Sequence, residues 1–241
     1  NGSYWKSILT FKFPINWKTK RNLINSANYI SMNTKTLLFS SVFFMLTTGS
    51  LMGQAKKDLA LDKSFIDGQL AASAKQIKVL AAATPEDQFP KTFEKGAHVF
   101  SGSRWWCSGF YPGTLLLLSE GTGDKELLNL ALAKLKHLEK EQYNKGTHDL
   151  GFMLFCSFGN ALRLTGDSTQ FKPILATGAE SLTSRYSPKT QAIRSWDHGK
   201  WKFPVIIDNM MNLEFLMQVS KMTGNKKYAD ISKKHANTTI K

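Results

Sequence analysis

The stretch LGFMLFCSFGNALRLTGDSTQFKPILATGAESLTSRY (150–186) shows how this chain is built. Apolar residues recur at helical spacing on both sides of Thr165-Gly166-Asp167, which predicts helices over Leu150–Leu164 and Thr169–Tyr186. Glycine favours the left-handed backbone found just after a helix ends. The aspartate that follows can accept hydrogen bonds from the free N–H groups of the next helix. The segment therefore predicts two helices joined as a hairpin.

The same turn sequence occurs three times along the chain. Thr122-Gly123-Asp124 lies 43 residues before the central copy, and Thr223-Gly224-Asn225 lies 58 residues after it. An interval near 43 residues fits one helical hairpin with its loops. The second interval is longer because of Ser187–Val205, a loop rich in Pro, Gly, Trp and His, and long loops of this kind tend to carry function. The repeat predicts stacked helical hairpins.

The rest of the chain after Asp58 also has helical spacing, and no segment alternates clearly enough to predict a strand. Pro85 ends the first helix, and a loop from Thr84 to Arg104 follows it. Short extended pieces are compatible with the sequence around Ala192–Trp196 and Lys202–Ile206. Together with the two helices above, the predicted set numbers seven, the others being Asp58–Ala83, Tyr111–Glu120, Lys125–Glu141, Asp208–Met222 and Lys226–Thr238. The fold class is therefore all-α.

Composition excludes several classes of protein. Among the 241 residues, 42% are apolar and 21% are charged, which is ordinary for a globular domain and argues against disorder, collagen and coiled coil. The formal net charge is +14, yet residues 1–53 carry six basic side chains and no acid. The remaining charge forms no long basic run. A mildly basic, solvated surface explains it, so we expect no nucleic-acid partner, while an anionic substrate remains compatible.

Residues 1–53 are expected to lie outside the fold. Lys35, the apolar run Leu37–Leu46 and the small residues of Thr47–Gly53 have the order of a secretory signal peptide, assigned to 32–53. The run is too short to span a bilayer comfortably. We expect export to the periplasm or the medium, with no stable membrane association after cleavage. Residues 1–31 are interpreted as an upstream, non-native extension, with a real disordered extension as the alternative, and 54–241 as the domain.

Two aspartates stand out at predicted helix starts. Asp149 lies in Thr147–Phe152, and Asp208 follows the apolar run Val205–Ile207. Helix capping would explain either residue alone. Apolar neighbours could instead raise the pKa of Asp208, as a general acid at neutral pH requires. Two carboxyl groups in one pocket would push their pKa values apart, which is the arrangement glycosidases use.

Other features narrow the chemistry. The segment Arg104–Gly113 gathers aromatic residues and glycines, and indole faces suit sugar rings, although Trp105 or Trp106 could instead anchor the core. The sequence has no G-x-S-x-G, phosphate-binding loop, H-E-x-x-H or C-x-x-C motif. The five histidines lack metal-ligand spacing. The spacing of Cys107 and Cys156 leaves open whether they pair.

Five collinear stretches carry a resemblance to a known family. They are WCSGFYPGTLLLLSEGTGD (106–124), HDLGFMLFCSFGNALRLTGD (148–167), IRSWDHGKW (193–201), VIIDNMMNLEFLMQVSKMTGN (205–225) and HANTT (235–239). With them the chain resembles glycoside hydrolase family 88, the unsaturated glucuronyl hydrolases. The resemblance implies an (α/α)6 toroid of helical hairpins, of which this chain would supply about the N-terminal half. A C-terminally truncated toroid exposes apolar core, so residues 54–241 alone are expected to aggregate or fold loosely and to be inactive.

The resemblance also implies roles and a substrate. Asp208 would be the general acid/base and Asp149 its essential partner. The expected substrate is an oligosaccharide with a Δ4,5-unsaturated glucuronic acid at its non-reducing end, made by polysaccharide lyases and hydrolysed by vinyl-ether hydration without metal or cofactor. The sugar subsite would include Trp106, His148 and Trp196, with Arg194 in the matching loop in a less defined role.

Three alternatives stay open on the sequence. The sister family that acts on unsaturated galacturonyl-rhamnose from pectin shares the toroid and the chemistry, although the fuller match around HDLGF and IDNMMNLE favours the glucuronyl enzymes. A non-catalytic helical-repeat binding protein would keep the hairpins without needing the Asp149–Asp208 pair. A fragment without a function of its own is the third alternative.

Overall fold

The computed structural model describes residues 62–241 and shows an all-α fold with two small antiparallel strand pairs. The predicted extension at 1–31, the predicted signal peptide at 32–53 and residues 54–61 lie outside the described residues. In chain order the α-helices are α1 Lys63–Ala83, α2 Phe110–Thr122, α3 Lys125–Leu138, α4 Asn160–Thr165, α5 Ser168–Thr183, α6 Asn209–Thr223 and α7 Lys226–Thr239. A 3-10 helix, Glu139–Tyr143, extends α3, and a π-helical segment, Gly151–Gly159, leads into α4. The strands are β1 Phe89–Glu94, β2 Ala97–Ser101, β3 Tyr186–Ser187 and β4 Ala192–Ile193.

The three repeated turns join helices as the sequence predicted. Each turn glycine has a left-handed backbone, with φ between 73° and 76°. Each turn threonine bonds back to the carbonyl four residues earlier, and the following side chain caps the next helix by accepting from its first free N–H groups. The turn glycines are Gly123, Gly166 and Gly224, and the capping residues are Asp124, Asp167 and Asn225.

The helices pack as hairpins around a shared apolar core. The helix made of the π-helical segment and α4 lies between α2 and α6, while α3, α5 and α7 each pack against the helix that precedes them. The core contains large side chains that are almost fully buried from all of these elements, among them Leu116, Leu127, Phe158, Phe171 and Phe215. Burial of such side chains contributes about 1.5–3 kcal/mol each. The predicted stacking of hairpins is confirmed for the described residues.

The prediction that no segment forms a strand was wrong within the loop Thr84–Arg104, which contains the β1–β2 hairpin. The reversal is made by Lys95 and Gly96, both with positive φ, in a two-residue turn. Neither strand shows the alternating burial that marks a half-buried strand, and the pairing shifts between Pro90 and Thr92. The hairpin therefore left no period-two signal in the sequence. Of the two short extended pieces, Ala192–Ile193 forms β4, whereas Lys202–Ile206 forms no strand.

The predicted helix Leu150–Leu164 has a wider first half than expected, because Gly151–Gly159 is π-helical. Segments of this kind are rare and are frequently found at functional sites. Two glycines earlier in the chain, Gly109 and Gly113, allow the backbone around them to lie directly against the π-helical segment. A Cβ on Gly109 would lie 2.2 Å from the carbonyl oxygen of Met153, and one on Gly113 would lie 2.4 Å from that of Cys156.

Two further features concern the described residues. No helix among residues 62–241 combines the length and the apolar character needed to cross a bilayer. Cys107 and Cys156 are both free thiols. Burial raises the pKa of Cys156 to about 11, so its thiol stays protonated at neutral pH.

Candidate active site

His148 and Asp149 end the loop that enters the π-helical segment. The backbone N–H of His148 donates to the carbonyl of Ser195 at 3.2 Å, which fixes the loop against the chain after β4. The Asp149 carboxylate accepts from the hydroxyl of Thr147 at 2.5 Å, and Met153 N–H bonds to the Asp149 carbonyl. The carboxylate of Asp149 thus takes a side-chain hydrogen bond while its backbone starts the helix.

Asp208 directly precedes α6 in the N-cap position, yet its side chain makes no capping hydrogen bond. The carboxylate instead lies within hydrogen-bond distance of His148, with Oδ1 of Asp208 3.1 Å from Nε2 of the ring. Its side chain is 36% exposed, whereas that of Asp149 is 14% exposed. Capping, the alternative explanation for Asp208, does not account for this geometry.

His148 lies between the two carboxylates. Its Nε2 is 3.1 Å from Oδ1 of Asp208 and 3.4 Å from Oδ1 of Asp149, and the three atoms lie within 4.8 Å of one another. The predicted pair of aspartates therefore does meet in one site. The His148 side chain is 4% exposed, so its ring interacts with protein groups rather than bulk water.

The hydrogen bonds of His148 place a proton in this cluster. Its Nδ1 is 2.8 Å from the Ser195 carbonyl oxygen, which can only accept, so Nδ1 carries a hydrogen. The 3.1 Å contact from Nε2 to Asp208 is then a hydrogen bond only if a second hydrogen lies between the two groups. That hydrogen belongs either to the ring or to the Asp208 carboxyl. The geometry thus favours one proton shared between His148 and Asp208.

The loop after β4 supplies the wall beside His148. The ring of Trp196 lies 6.4 Å from that of His148 and stacks on His198 at 5.9 Å. Arg194 is partly exposed and pairs with Asp197 at 2.5 Å. Trp196 therefore lies beside His148, while the guanidinium of Arg194 is bound by the Asp197 carboxylate.

A buried arginine that the sequence analysis missed organises this loop. Arg185, whose side chain is 2% exposed, donates to the carbonyls of Lys145 and Arg194 and binds Asp197 through both Nη atoms. These hydrogen bonds lower the pKa of the Asp197 carboxyl, and the charge of Arg194 adds to the effect. Arg185 follows α5 without any motif around it, so its partners are visible only in the fold.

Trp106 packs against two phenylalanine rings close to the site. Its ring lies 5.7 Å from Phe110 and 5.8 Å from Phe152, which is three residues beyond Asp149. Trp106 is 44% exposed and Trp105 is 38% exposed, with Lys91 Nζ 4.3 Å from the Trp105 ring. Neither tryptophan anchors the core, so that alternative was wrong. The predicted sugar-stacking role of Trp106 remains a prediction.

One nitrogen and two carboxylate oxygens within 4.8 Å could also reach a single cation. The oxygen and nitrogen ligands suit a divalent metal in kind. However, Nε2 of His148 is already within hydrogen-bond distance of Asp208, and the cluster has three candidate ligands. The arrangement is explained by a shared proton without further groups.

Comparison with known proteins identifies relatives of this chain. No protein-family profile matches it. An unsaturated glucuronyl hydrolase of Formosa agariphila is 41% identical over 159 residues, covering 64% of this chain and 40% of the relative. An unsaturated chondroitin disaccharide hydrolase of Streptococcus agalactiae is 29% identical over 151 residues, covering 61% and 37%. The resemblance of the chain to the unsaturated glucuronyl hydrolases, glycoside hydrolase family 88, is thus confirmed.

Solved structures of the family agree with the fold. A crystal structure of an unsaturated glucuronyl hydrolase specific for heparin matches with a TM-score of 0.71 and 40% identity, over 75% of this chain and 48% of the other. The enzyme from Streptococcus agalactiae matches with a TM-score of 0.64 at 22% identity. The described residues thus match about half of the α/α toroid of these proteins. The chain spans about two fifths of the length of the curated relatives it matches.

Proposed function

We propose that this protein is a glycoside hydrolase that removes a Δ4,5-unsaturated glucuronic acid from the non-reducing end of lyase-generated oligosaccharides. The observation that carries the proposal is the contact of His148 Nε2 with both Asp208 and Asp149, at 3.1 and 3.4 Å. A site that stores a proton between a histidine and an exposed carboxyl group suits protonation of a carbon–carbon double bond. The names of the relatives supply the substrate class.

In the proposed reaction Asp208 gives its proton to C4 of the unsaturated sugar. Positive charge then develops at C5 and on the ring oxygen, and a water molecule adds at C5 while its proton returns to Asp208. The resulting hemiketal opens and releases the remaining sugar. Overall one water is consumed, and the protein ends in its starting protonation state.

The two carboxylates differ in a way that fits separate roles. Asp208 is the more exposed of the two and so can reach a substrate from solvent. Asp149 is more buried, and its carboxylate accepts a hydrogen bond from Thr147 that holds it in place. An oriented negative charge next to the developing cation lowers the barrier, because it needs no reorganisation during the reaction.

The surroundings suggest how the sugar is held. Trp106 lies against Phe152 and Trp196 lies near His148, and partly exposed indole faces of this kind stack on sugar rings. Arg194, in the same loop as Trp196, would contribute positive charge toward the uronate carboxylate. We propose glycosaminoglycan-type lyase products as the partners of this site and no nucleic acid.

We further propose that the protein is exported to the periplasm or the medium. The support is the order of basic, apolar and small residues at 32–53. N-terminal sequencing of the exported protein tests this, with a first residue just after Gly53 as the expected result. A protein retained inside the cell with residues 32–53 still attached would contradict it.

The activity is tested on the protein as its gene encodes it. Loss of ultraviolet absorbance by the unsaturated uronate is followed with lyase products of chondroitin, of heparin and of rhamnogalacturonan. We expect turnover of a glycosaminoglycan-type product and, in Asp208→Asn, a loss on the order of 10³-fold in kcat. Asp167→Asn, which changes a capping aspartate in the same way, is the matched control and should keep its activity.

The remaining outcomes distinguish the alternatives. Turnover of the rhamnogalacturonan product alone would replace the glucuronyl reaction by that of the sister family. Binding of all three products without turnover would favour a non-catalytic helical-repeat protein. Equal activity in wild type and Asp208→Asn would contradict the assigned role of Asp208.

A further inference from the structure

The edge of β4 that faces away from β3 forms hydrogen bonds with two side chains instead of with a third strand. Ile193 pairs with Tyr186 of β3 on one side. On the other, its N–H donates to His235 Nδ1 at 2.9 Å, and its carbonyl accepts from Asn209 Nδ2 at 2.8 Å. His235 comes from α7 and Asn209 from α6, and both residues are fully buried. Two helices are therefore tied to the same backbone residue.

A second buried amide, one turn further along α6, binds a different element. Asn212, one turn beyond Asn209, accepts from the backbone N–H of Phe152 at 3.1 Å. The two elements are in close contact here, because a Cβ on Gly151 would lie 2.6 Å from Asn212 Oδ1 and 2.9 Å from its Cα. The first turn of α6 thus packs directly against the start of the π-helical segment.

Asn209, Asn212 and His235 are called the anchors below. Each of them lies next to a member of the site or binds a segment that carries one. Asp208 immediately precedes Asn209. Phe152, bound by Asn212, comes three residues after Asp149. Ser195, whose carbonyl holds His148, comes two residues after Ile193. The anchors therefore connect the backbone segments that carry the three groups.

The anchors bury polar atoms in the core, which lowers the stability of the fold. Among residues 62–241, protein hydrogen bonds leave Asn209 Oδ1, Asn212 Nδ2 and His235 Nε2 without a partner, although all three atoms are buried. Burying a polar atom without a protein partner costs on the order of 1–3 kcal/mol. An apolar side chain would remove that cost, but it would leave a backbone group of Ile193 or Phe152 without its partner, so each side chain serves the backbone segment that it binds. Burial, followed by the charge of nearby His148, also lowers the pKa of His235 and so keeps Nδ1 free to accept.

We propose that Asn209, Asn212 and His235 are positioning residues that hold Asp208 and Asp149 at hydrogen-bond distance from His148. This inference rests on the proposed function for the reaction it serves, but the placement itself can be measured without turnover. The three residues touch neither the substrate nor the reacting atoms. They act through the backbone of Ile193 and Phe152.

The kinetic test uses Asn209→Leu, Asn212→Leu and His235→Leu in the protein as its gene encodes it. A shift of about 1 Å at a catalytic group can cost 10²-fold, so we expect kcat to fall about 100-fold with little change in KM. The matched controls are Ser220→Ala in α6 and Ser232→Ala in α7, each of which removes one side-chain hydrogen bond that does not involve Ile193 or Phe152. They should keep the wild-type kcat. His235→Asn places an oxygen where Nδ1 was and should recover most of the loss.

A second readout does not depend on activity. The Nδ1 proton of His148 is held by Ser195 and should exchange slowly with solvent, as measured by NMR on histidine-labelled protein. We expect faster exchange in the three leucine variants and wild-type exchange in the two serine controls. If wild type shows no turnover, the proposed function fails while this measurement still tests the positioning. Folded leucine variants with wild-type exchange, or with wild-type kcat, would overturn the inference.

Discussion

Aspartate begins helices at opposite ends of the hairpins, and its hydrogen-bond partners differ between the two ends. At the repeated turns, Asp124 and Asp167 accept backbone N–H groups of the helices they begin. At the site, Asp208 makes no capping hydrogen bond, and its carboxylate meets His148 together with that of Asp149. The capping aspartates satisfy free N–H groups locally. The Asp208 carboxylate instead contacts His148, which lies 60 residues earlier in the chain, and the Asp149 carboxylate accepts from Thr147 beside the same histidine.

The glycines of the two ends differ in the same way. Gly166 has a φ of 73° and open space around the position of a Cβ, so its requirement is purely conformational. Gly151 has an ordinary φ, but its missing Cβ makes room for Asn212. The turns therefore depend on backbone conformation, and the site depends on how closely two elements approach.

The largest difference in kcat should be that between the variants Asp149→Asn, at the site, and Asp124→Asn, at a repeated turn. The first removes the charge proposed to stabilise the developing cation, and we expect kcat to fall on the order of 10²–10³-fold, with no loss of Tm. The second keeps a good capping residue and should keep its activity. Steady-state kinetics and thermal melting check both. A similar change of kcat in the two variants would remove the distinction between the ends.

A smaller contrast is expected from Gly151→Ala and Gly166→Ala. The first forces Asn212 and α6 away from the π-helical segment, at a cost of about 1–3 kcal/mol with a loss of activity. The second costs about 1 kcal/mol through its left-handed backbone and should leave kcat unchanged. Urea unfolding and kinetics measure the two effects. Full activity in a folded Gly151→Ala variant would show that the close approach is not needed by the site.

The cap of α7 gives a purely structural effect. Asn225→Ala removes the side chain that accepts from Lys227 N–H and should lower the free energy of unfolding by about 1 kcal/mol. Activity should not change, because the residue lies at the turn after α6 and not at its start. Chemical denaturation and kinetics provide the measurement. A loss of kcat would mean that the turn end also controls the site.

The smallest effect concerns pH. Because burial lowers the pKa of His235 below its ordinary value of 6.5, the unfolded state takes up this proton first as the pH falls. The contribution to stability is therefore complete above pH 6.5 and declines below it, until the folded state also becomes protonated. His235→Asn should show a shallower decline between pH 7 and pH 5 in urea titrations. Equal slopes in wild type and variant would contradict this assignment.

Much of the helical fold was readable from the sequence. The seven predicted helices are found in the described residues, most of their ends within two or three positions, because each has local apolar spacing and most are bounded by local caps. The β1–β2 hairpin was missed because its side chains are largely exposed and do not alternate. The π-helical form of Gly151–Gly159 was missed since its apolar spacing is that of any buried helix.

The candidate site was readable in part. Asp149, Asp208 and His148 were singled out as members of two unusual segments, and the structure brings them together. Arg185, Asn209 and Asn212 were not, because each acts on backbone groups that are distant in sequence. A buried amide or guanidinium has no periodic signature, and its partners become known only when the elements are packed.

The sequence by itself determined where helices begin, turn and end, since glycine conformation, capping and apolar spacing act within a few residues. It also marked two aspartates as candidates. Only the tertiary structure decided that Asp208 leaves its cap position free, that His148 lies between the carboxylates, and that Ile193 ties α6 and α7 to the same strand. Those outcomes depend on hydrogen bonds between residues 16 to 60 positions apart, whose geometry arises from the packing of the helices.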